Sequence, residues 1–351
     1  MNNYNRKLLG VLESFGFTNE NLELNTFGTG LINNTWKVTS NRGEFILQKI
    51  NHQVFPEPGA IARNITRIAG YLRKFYPEYK FASPVPTQSG KDMFFDGKTG
   101  YYRVFPFITG SHTCTVAQTP EMAYQAAAQF GKFTRMLSGM EADSLEITIP
   151  DFHNLGKRYQ QFLDSIHQTD AKRKTEASEW IMELFASQNI VEEYKSIIRN
   201  PEFKTRVTHH DTKISNVLFD ANQKGICVID LDTVMPGYFI SDVGDMMRTY
   251  LCPVTEEESD LSKIRVRKEF YQAIVQGYCS EMKEELTETE KKYFFYAGKF
   301  SIYMQALRFL TDFLNSDIYY GSSYPGQNLM RAANQVILLK RLVELEPELN
   351  I

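Results

Sequence analysis

The chain opens with a stretch that puts Leu8, Leu12 and Phe15 on one helical face with Leu9 beside them, which predicts an amphipathic helix. Thr35-Trp36-Lys37-Val38-Thr39 then alternates with the period of a strand. Asn41-Arg42-Gly43 reads as a turn and Glu44 to Ile50 as a second strand, so the two predict a hairpin. Ile61, Ile65, Ile68, Leu72 and Phe75 follow at spacings of four, three, four and three, the signature of a helix with one buried stripe. Met93 to Asp96 and Tyr101 to Phe107 add strands around a turn at Gly97 to Gly100, and Pro106 ends the last of them.

From about residue 110 the pattern becomes helical. Thr119 is placed to cap a helix with Pro120 at its first position, and Met122, Ala126, Phe130, Phe133 and Leu137 form its apolar stripe. Residues 151–200 are mostly helical in pattern, and a short β-rich stretch over 205–232 interrupts them. Helical periodicity returns in a long segment from about 288 to 314, opened by a capping box of Thr287 and Glu290, and a helix over about 327–346 closes the chain. There is no internal repeat. The expected fold class is α+β: a small β-rich lobe over residues 1–107 and a larger, mainly helical lobe over 108–351, with a site in the cleft between them.

Composition narrows the function. A chain of 351 residues suggests about two packed units. Lys and Arg number 39 against 42 Asp and Glu, so nothing draws the whole molecule to nucleic acid or an anionic membrane, and neither partner is expected. No apolar run approaches the eighteen or so residues of a membrane span. The first seventeen residues lack the unbroken apolar core and small-residue cleavage site of a signal peptide. Cys114, Cys227, Cys252 and Cys279 lie far apart, which argues against a zinc ribbon or disulfide scaffold and sets a cytoplasmic location as the expectation. Nothing in the sequence fixes the oligomeric state.

The chemistry concentrates in one segment. His209, Asp211 and Asn216 sit on a loop; two short apolar strands then bracket the turn Asn222-Gln223-Lys224-Gly225, and the second strand delivers Asp230. A phosphoryl-transfer site needs this set: a carboxylate to orient the attacking hydroxyl and accept its proton, and an amide oxygen with a second carboxylate to hold Mg²⁺ against the phosphates. Chance would produce the His-Asp-Asn spacing in roughly one or two chains of this composition in a hundred. A zinc site at His209 and His210 would need further ligands at suitable spacing, and none is nearby. Ester hydrolysis would need a nucleophile or a two-metal cluster that the sequence does not offer.

The pattern H-x-D-x-x-x-x-N followed by a strand ending in Asp resembles the catalytic and metal loops of bilobal protein-kinase-like folds. The H-x-D start without an arginine, together with I-D-x-D, is similar to the aminoglycoside phosphotransferase superfamily. The longer string D-T-K-I-S-N-V-L-F-D … C-V-I-D-L-D-T-V-M-P-G resembles N-acetylhexosamine 1-kinases, as do Phe45 to Asn51, Arg103 to Ile108 and Ala306 to Asn315, so the similarity spans nearly the whole chain. The resemblance implies ATP and Mg²⁺ as cofactors. It implies Asp211 as catalytic base or orienter, Asn216 and Asp230 as Mg²⁺ ligands, and His209 as a brace for the loop. Lys213 is either a cation near the transferring phosphate or a solvated lysine. Asp232 either supports the substrate side or forms a turn, and Asp242 is expected to bond the loop backbone.

On the nucleotide side, Gly28 and Gly30 would let the backbone approach phosphates, with Asn33 and Thr35 as donors; a plain hairpin turn is the alternative. Gln48 and Lys49 alternate to opposite faces of the strand, and the sequence does not decide which faces the nucleotide. The following helix carries Arg63 and Asn64 but no glutamate in its middle, so the lysine–glutamate pair of protein kinases is expected to be missing. Phe105 and Phe107 lie where the lobes join, either sandwiching adenine or packing the linker.

For the acceptor, Arg308 shares a helical face with Met304 and Asp312, and either pairs with Asp312 or binds acceptor hydroxyls. Tyr319, Tyr320 and Tyr324 either wall a sugar site or pack the loop. Polycationic aminoglycosides want an acidic lining, so an arginine, aromatics and amides favour a neutral sugar. The expected activity is phosphorylation by ATP of the anomeric hydroxyl of N-acetylglucosamine or N-acetylgalactosamine. The alternatives are a kinase for an aminoglycoside or amino alcohol, and a catalytically silent nucleotide- or sugar-binding regulator.

Overall fold

Helix α1 (Asn3–Glu13) precedes strands β1 (Glu23–Thr26), β2 (Asn34–Ser40) and β3 (Gly43–Ile50), helix α2 (Pro58–Phe75), and strands β4 (Phe94–Phe95) and β5 (Tyr101–Pro106) in the computed structural model, which describes residues 3–18, 22–28, 33–97 and 100–349. The strands form one antiparallel sheet in the order β1-β2-β3-β5-β4. Its register decides which residues share a face. Trp36, Leu47 and Val104 form one cross-strand row, and Thr35, Gln48 and Arg103 form the next. Side chains alternate along a strand, so adjacent rows face opposite ways. The first row, with Val38 and Tyr102, packs against Leu8, Val11, Leu12 and Phe15 of α1. Val11 completes the helix stripe, and Leu9 is only half-buried. The second row faces the larger lobe.

Helix α2 begins with Pro58 in its first turn, where the missing N–H costs nothing. Ile61, Ile65, Ile68 and Leu72 are buried as expected, but Phe75 is 53% exposed at the helix end. The stripe joins the main core with Phe130 and Phe133, not the cluster under α1.

The larger lobe contains α3 (Pro120–Met136), α4 (Leu155–Gln168), α5 (Ala171–Glu176), α6 (Ser178–Ala186) and α7 (Asn189–Ile197). Four short strands follow, β6 (Arg206–Thr208), β7 (Val217–Phe219), β8 (Gly225–Val228) and β9 (Met235–Gly237), and then α8 (Phe239–Tyr250), α9 (Lys268–Met282), α10 (Glu288–Lys291), α11 (Phe294–Leu314), α12 (Gln327–Glu344) and α13 (Glu346–Leu349). Thr119 caps α3, accepting from the Met122 N–H. Helices α3 and α9 pack so closely that a Cβ at Gly277 would lie 2.4 Å from the Tyr124 carbonyl oxygen. The β-rich insert is two small hairpin-like sheets, β6 with β9 and β7 with β8, and so extends past the expected end at 232.

The segment read as one helix over 288–314 is two. The Thr287–Glu290 capping box is present but starts the short α10. Glu290 is fully buried, and its carboxylate also accepts from Arg206 at 2.6 and 2.8 Å and from the Lys204 N–H at 2.9 Å. Tyr293 packs edge-on against Phe203. Those ties anchor the first turn to the approach of β6, and the long helix starts afresh at Phe294. No helix among the described residues is long and apolar enough to cross a membrane.

Candidate active site

The loop between β6 and β7 is held from behind by α8. Asp242, in the first turn of that helix, accepts the His209 N–H at 3.0 Å and the His210 N–H at 2.7 Å, while its own carbonyl accepts from the Thr212 hydroxyl at 2.7 Å. Burial pushes the Asp242 carboxyl up to about 6, against the pull of His209 and the two N–H bonds. His209 is buried edge-on against Phe130, with Nε2 2.9 Å from the Ile229 carbonyl, and touches no open surface. His210 has a positive φ of 66°. A Cβ on Gly237 would come within 2.4 Å of its ring, so the β9 strand can lie here only as glycine.

This scaffold presents Asp211. Its Oδ2 accepts from Lys213 Nζ at 2.8 Å and from Asn216 Nδ2 at 2.9 Å, and Oδ1 has no partner among the described residues. Burial alone would raise the Asp211 carboxyl, but the Lys213 ammonium, by charge and by hydrogen bond, with His209 and Asn216, holds it below the usual carboxylate range. Lys213 is therefore bound to the catalytic-loop acid and is not simply solvated. Asp230 lies two residues beyond the end of β8, with a φ of 62°. Its carboxylate has neither a hydrogen-bond nor an ion-pair partner among the described residues. Burial first, and then the neighbouring Asp232 and Asp211, push it up to about 7. An orphaned acid crowded by two others is what a divalent cation neutralises. With the Asn216 Nδ2 spent on Asp211, the Asn216 oxygen remains as a second hard ligand, and the pair fits Mg²⁺. No three His, Cys, Asp or Glu side chains among the described residues form a metal cage by themselves.

The sheet resolves the ambiguity at β3. Gln48 lies in the row facing the larger lobe, and Lys49 shares the opposite face with Leu47 and Tyr102. Gln48 Oε1 accepts from Arg103 Nε at 3.0 Å and Nη2 at 2.8 Å. Arg103 Nη1 in turn pairs with Asp232 Oδ1 at 2.5 Å. Asn33 donates to Asp232 Oδ2 at 2.8 Å and accepts from the Asn51 N–H at 3.0 Å. Asp232 is thus buried, with one oxygen paired to Arg103 and the other to Asn33, and it does not line the cavity between α4 and α11. Thr35 receives the Gln48 amide at a long 3.4 Å. Gly28 has a positive φ of 75°; Gly30 lies outside the described residues. Phe105 carries the Arg103 guanidinium 5.0 Å from its ring centre, and Phe107 carries Lys37 at 4.2 Å with Phe27 edge-on at 5.8 Å. Asn64 donates to the carbonyls of Glu146 and Val234, so α2 contributes no acid here.

A cavity of about 340 Å³ opens between α4 and α11, lined by Arg158, Gln161, Arg308, Thr311, Tyr319 and Tyr320 among others. Arg308 does not pair with Asp312, whose oxygens accept the N–H groups of Tyr319 and Tyr320 and the Asn328 amide. Its guanidinium lies 5.4 Å from the Phe152 ring and 5.8 and 5.5 Å from Tyr319 and Tyr320. Tyr324 is exposed and does not line the cavity. Phe152 stacks on His153 at 4.5 Å, and His153 Nδ1 meets His210 Nδ1 at 3.3 Å, so the two rings link Arg308 to the loop that bears Asp211. Arg158 and His153 escaped the sequence reading, and Arg103 entered it only within the segment Arg103 to Ile108; its place across from Gln48 is a matter of sheet register.

Burial pushes His210 down to about 4. Between the ordinary histidine value near 6.5 and that value, the unfolded chain binds a proton the native state refuses. Stability contributed at His210 is therefore complete above about pH 6.5 and is lost as pH falls toward 4, by up to roughly 3 kcal/mol. Urea unfolding at several pH values should show this loss in the wild type and a smaller one in His210→Asn, asparagine being tolerant of the left-handed backbone. Equal losses in both chains would place the acid sensitivity elsewhere.

A two-lobed kinase-like fold with a carboxylate, amide and second acid on neighbouring loops defines the class, a phosphotransferase. The sequence matches the model of the phosphotransferase enzyme family, APH, over residues 23–288, and the chain belongs to that family. Similar solved structures include an aminoglycoside phosphotransferase from Alicyclobacillus acidocaldarius (TM-score 0.63, 14% identity, 96% of each chain covered). Others are the spectinomycin phosphotransferase APH(9)-Ia, solved with ADP and spectinomycin (0.61, 14%, 97% of this chain and 98% of that one), and a microcompartment-associated aminopropanol kinase (0.62, 17%, 98% of each).

Proposed function

We propose that this enzyme transfers the γ-phosphoryl group of ATP, with Mg²⁺, to the anomeric hydroxyl of an N-acetylhexosamine. The observation that carries the chemistry is the half-bound Asp211 carboxylate, with Oδ2 gripped by Lys213 and Asn216 and Oδ1 free to take an alcohol's hydrogen. The acceptor oxygen bonds to the γ-phosphorus as the bond to the β–γ bridging oxygen breaks, the hydroxyl proton goes to Asp211, and ADP leaves. Asn216 and Asp230 would hold Mg²⁺, which neutralises phosphate charge. Asp211 fixes the direction of the hydroxyl, and Lys213 keeps that acid ionised. Positioning of this kind is where most of the acceleration in phosphoryl transfer resides.

For the acceptor, support comes from the resemblance to hexosamine kinases and from the cavity lining. Two arginines without carboxylate partners among the described residues, with tyrosines and amides, suit hydroxyl and amide oxygens; of the two acids in the lining, Asp312 is spent on the N–H groups of Tyr319 and Tyr320 and on Asn328, and Asp164 lies on α4. The same reading puts the lobe boundary at residues 107 and 108 and the enzyme in the cytoplasm. ADP release should be measured across N-acetylhexosamines, hexoses, aminoglycosides, choline and ethanolamine, with the phosphorylated carbon identified by NMR. The expected result is turnover on N-acetylglucosamine or N-acetylgalactosamine at least about tenfold above any amine, with product phosphorylated at the anomeric carbon. An amine as the preferred acceptor would overturn the sugar assignment and leave the kinase.

A further inference from the structure

We propose that Arg103, on β5, is the nucleotide-side cation of this enzyme, and that through Asp232 it ties the sheet to the segment bearing Asp230. A kinase-like site that grips a triphosphate needs positive charge on the sheet face above the phosphates. On that face β3 presents the neutral Gln48, while Lys49 points the other way. Arg103 is the residue directly across from Gln48 on the neighbouring strand.

Its guanidinium is held in one orientation. Gln48 Oε1 takes both Nε and Nη2, and the Gln48 amide is turned by Thr35 so that its oxygen faces the arginine. Asp232, pinned on its other oxygen by Asn33, takes Nη1. Both side chains of the ion pair are 2–3% exposed. A buried pair of this kind is a poor way to gain stability, since desolvating both charges offsets most of their attraction. A guanidinium offers five N–H groups in a rigid fork; hydrogen bonds to Gln48 use two, and the buried Nη1 meets Asp232 as an ion pair without a hydrogen bond, so N–H capacity remains for phosphate oxygens. Asp232 lies two residues after Asp230, so a shift of the arginine is passed along the backbone to the metal-facing acid.

The inference rests on the nucleotide reading above, so its test reads MgADP binding by calorimetry, which requires no acceptor. Binding to Arg103→Met should be at least about tenfold weaker than to the wild type, with Arg103→Lys intermediate because a point charge replaces the fork. The KM for the acceptor should stay within about twofold. A folded Arg103→Met that binds MgADP within about twofold of the wild type overturns the role of Arg103 alone. A wild-type chain that binds no MgADP overturns the nucleotide reading and this inference together. If Arg103→Met does not fold, Gln48→Met keeps the ion pair but releases the fork. Binding roughly three- to fivefold weaker is then expected, and unchanged binding overturns the inference.

Discussion

Asp211→Asn should lose at least about a thousandfold in turnover while keeping its fold and its nucleotide. General-base assistance contributes about 10² to 10⁴ in rate, and the substitution also removes the charge that orients the alcohol. Asparagine has nearly the same shape, and its oxygen can still accept from Lys213 and Asn216, as Asp211 Oδ2 does at 2.8 and 2.9 Å. The change also relieves repulsion among Asp211, Asp230 and Asp245. The ion pair with Lys213 is lost at the same time, so the melting temperature should fall by only a few degrees, and MgADP affinity should stay within about twofold, since the nucleotide-side contacts are untouched. A coupled ADP-release assay, calorimetry and a thermal melt measure the three quantities. Turnover near the wild-type rate in a folded variant would remove Asp211 from the reaction, and with it the reading of the loop.

Why the local geometry of residues 209–230 was legible and their surroundings less so follows from sequence distance. His209, Asp211, Asn216 and Asp230 lie on one loop and one hairpin, so their spacing carries most of their geometry. Thr119, Pro120 and the Thr287–Glu290 box are likewise local signals, and the structure contains both caps. What failed depends on partners far along the chain. Asp232 resembled a turn former or an acceptor-side residue until the sheet brought Asn33, 199 residues away, and Arg103 onto its oxygens. Arg308 and Asp312 are well placed for a helical pair, yet the loop after α11 folds back and claims the aspartate through two backbone N–H groups. The choice between Gln48 and Lys49 was undecidable from alternation alone. It needed the knowledge that α1 covers the Trp36, Leu47 and Val104 face.

Asp242→Asn should damage the enzyme from behind the site, by about 2–4 kcal/mol in unfolding free energy and roughly a hundredfold in kcat. Asp242 uses both oxygens on consecutive N–H groups, those of His209 and His210. Asparagine has one oxygen, so one buried N–H would face an NH₂ group, and neither donor could be satisfied in a place that water does not reach. The penalty falls where the backbone is already constrained, since His210 holds a left-handed φ and Gly237 leaves its ring no spare room. Relaxation of that strain would move Asp211, the next residue, away from the alcohol it orients, and misplacement of about 1 Å can cost 10²-fold. The nucleotide side should be nearly unaffected, because Asn33, Gln48, Arg103 and Asp232 are linked to one another and not to Asp242. Urea unfolding, steady-state kinetics and MgADP calorimetry on one preparation separate these effects. A stable variant with unchanged kcat would mean that the loop holds its shape without the aspartate. A loss of MgADP affinity parallel to the loss of kcat would mean that Asp242 supports the whole cleft rather than Asp211.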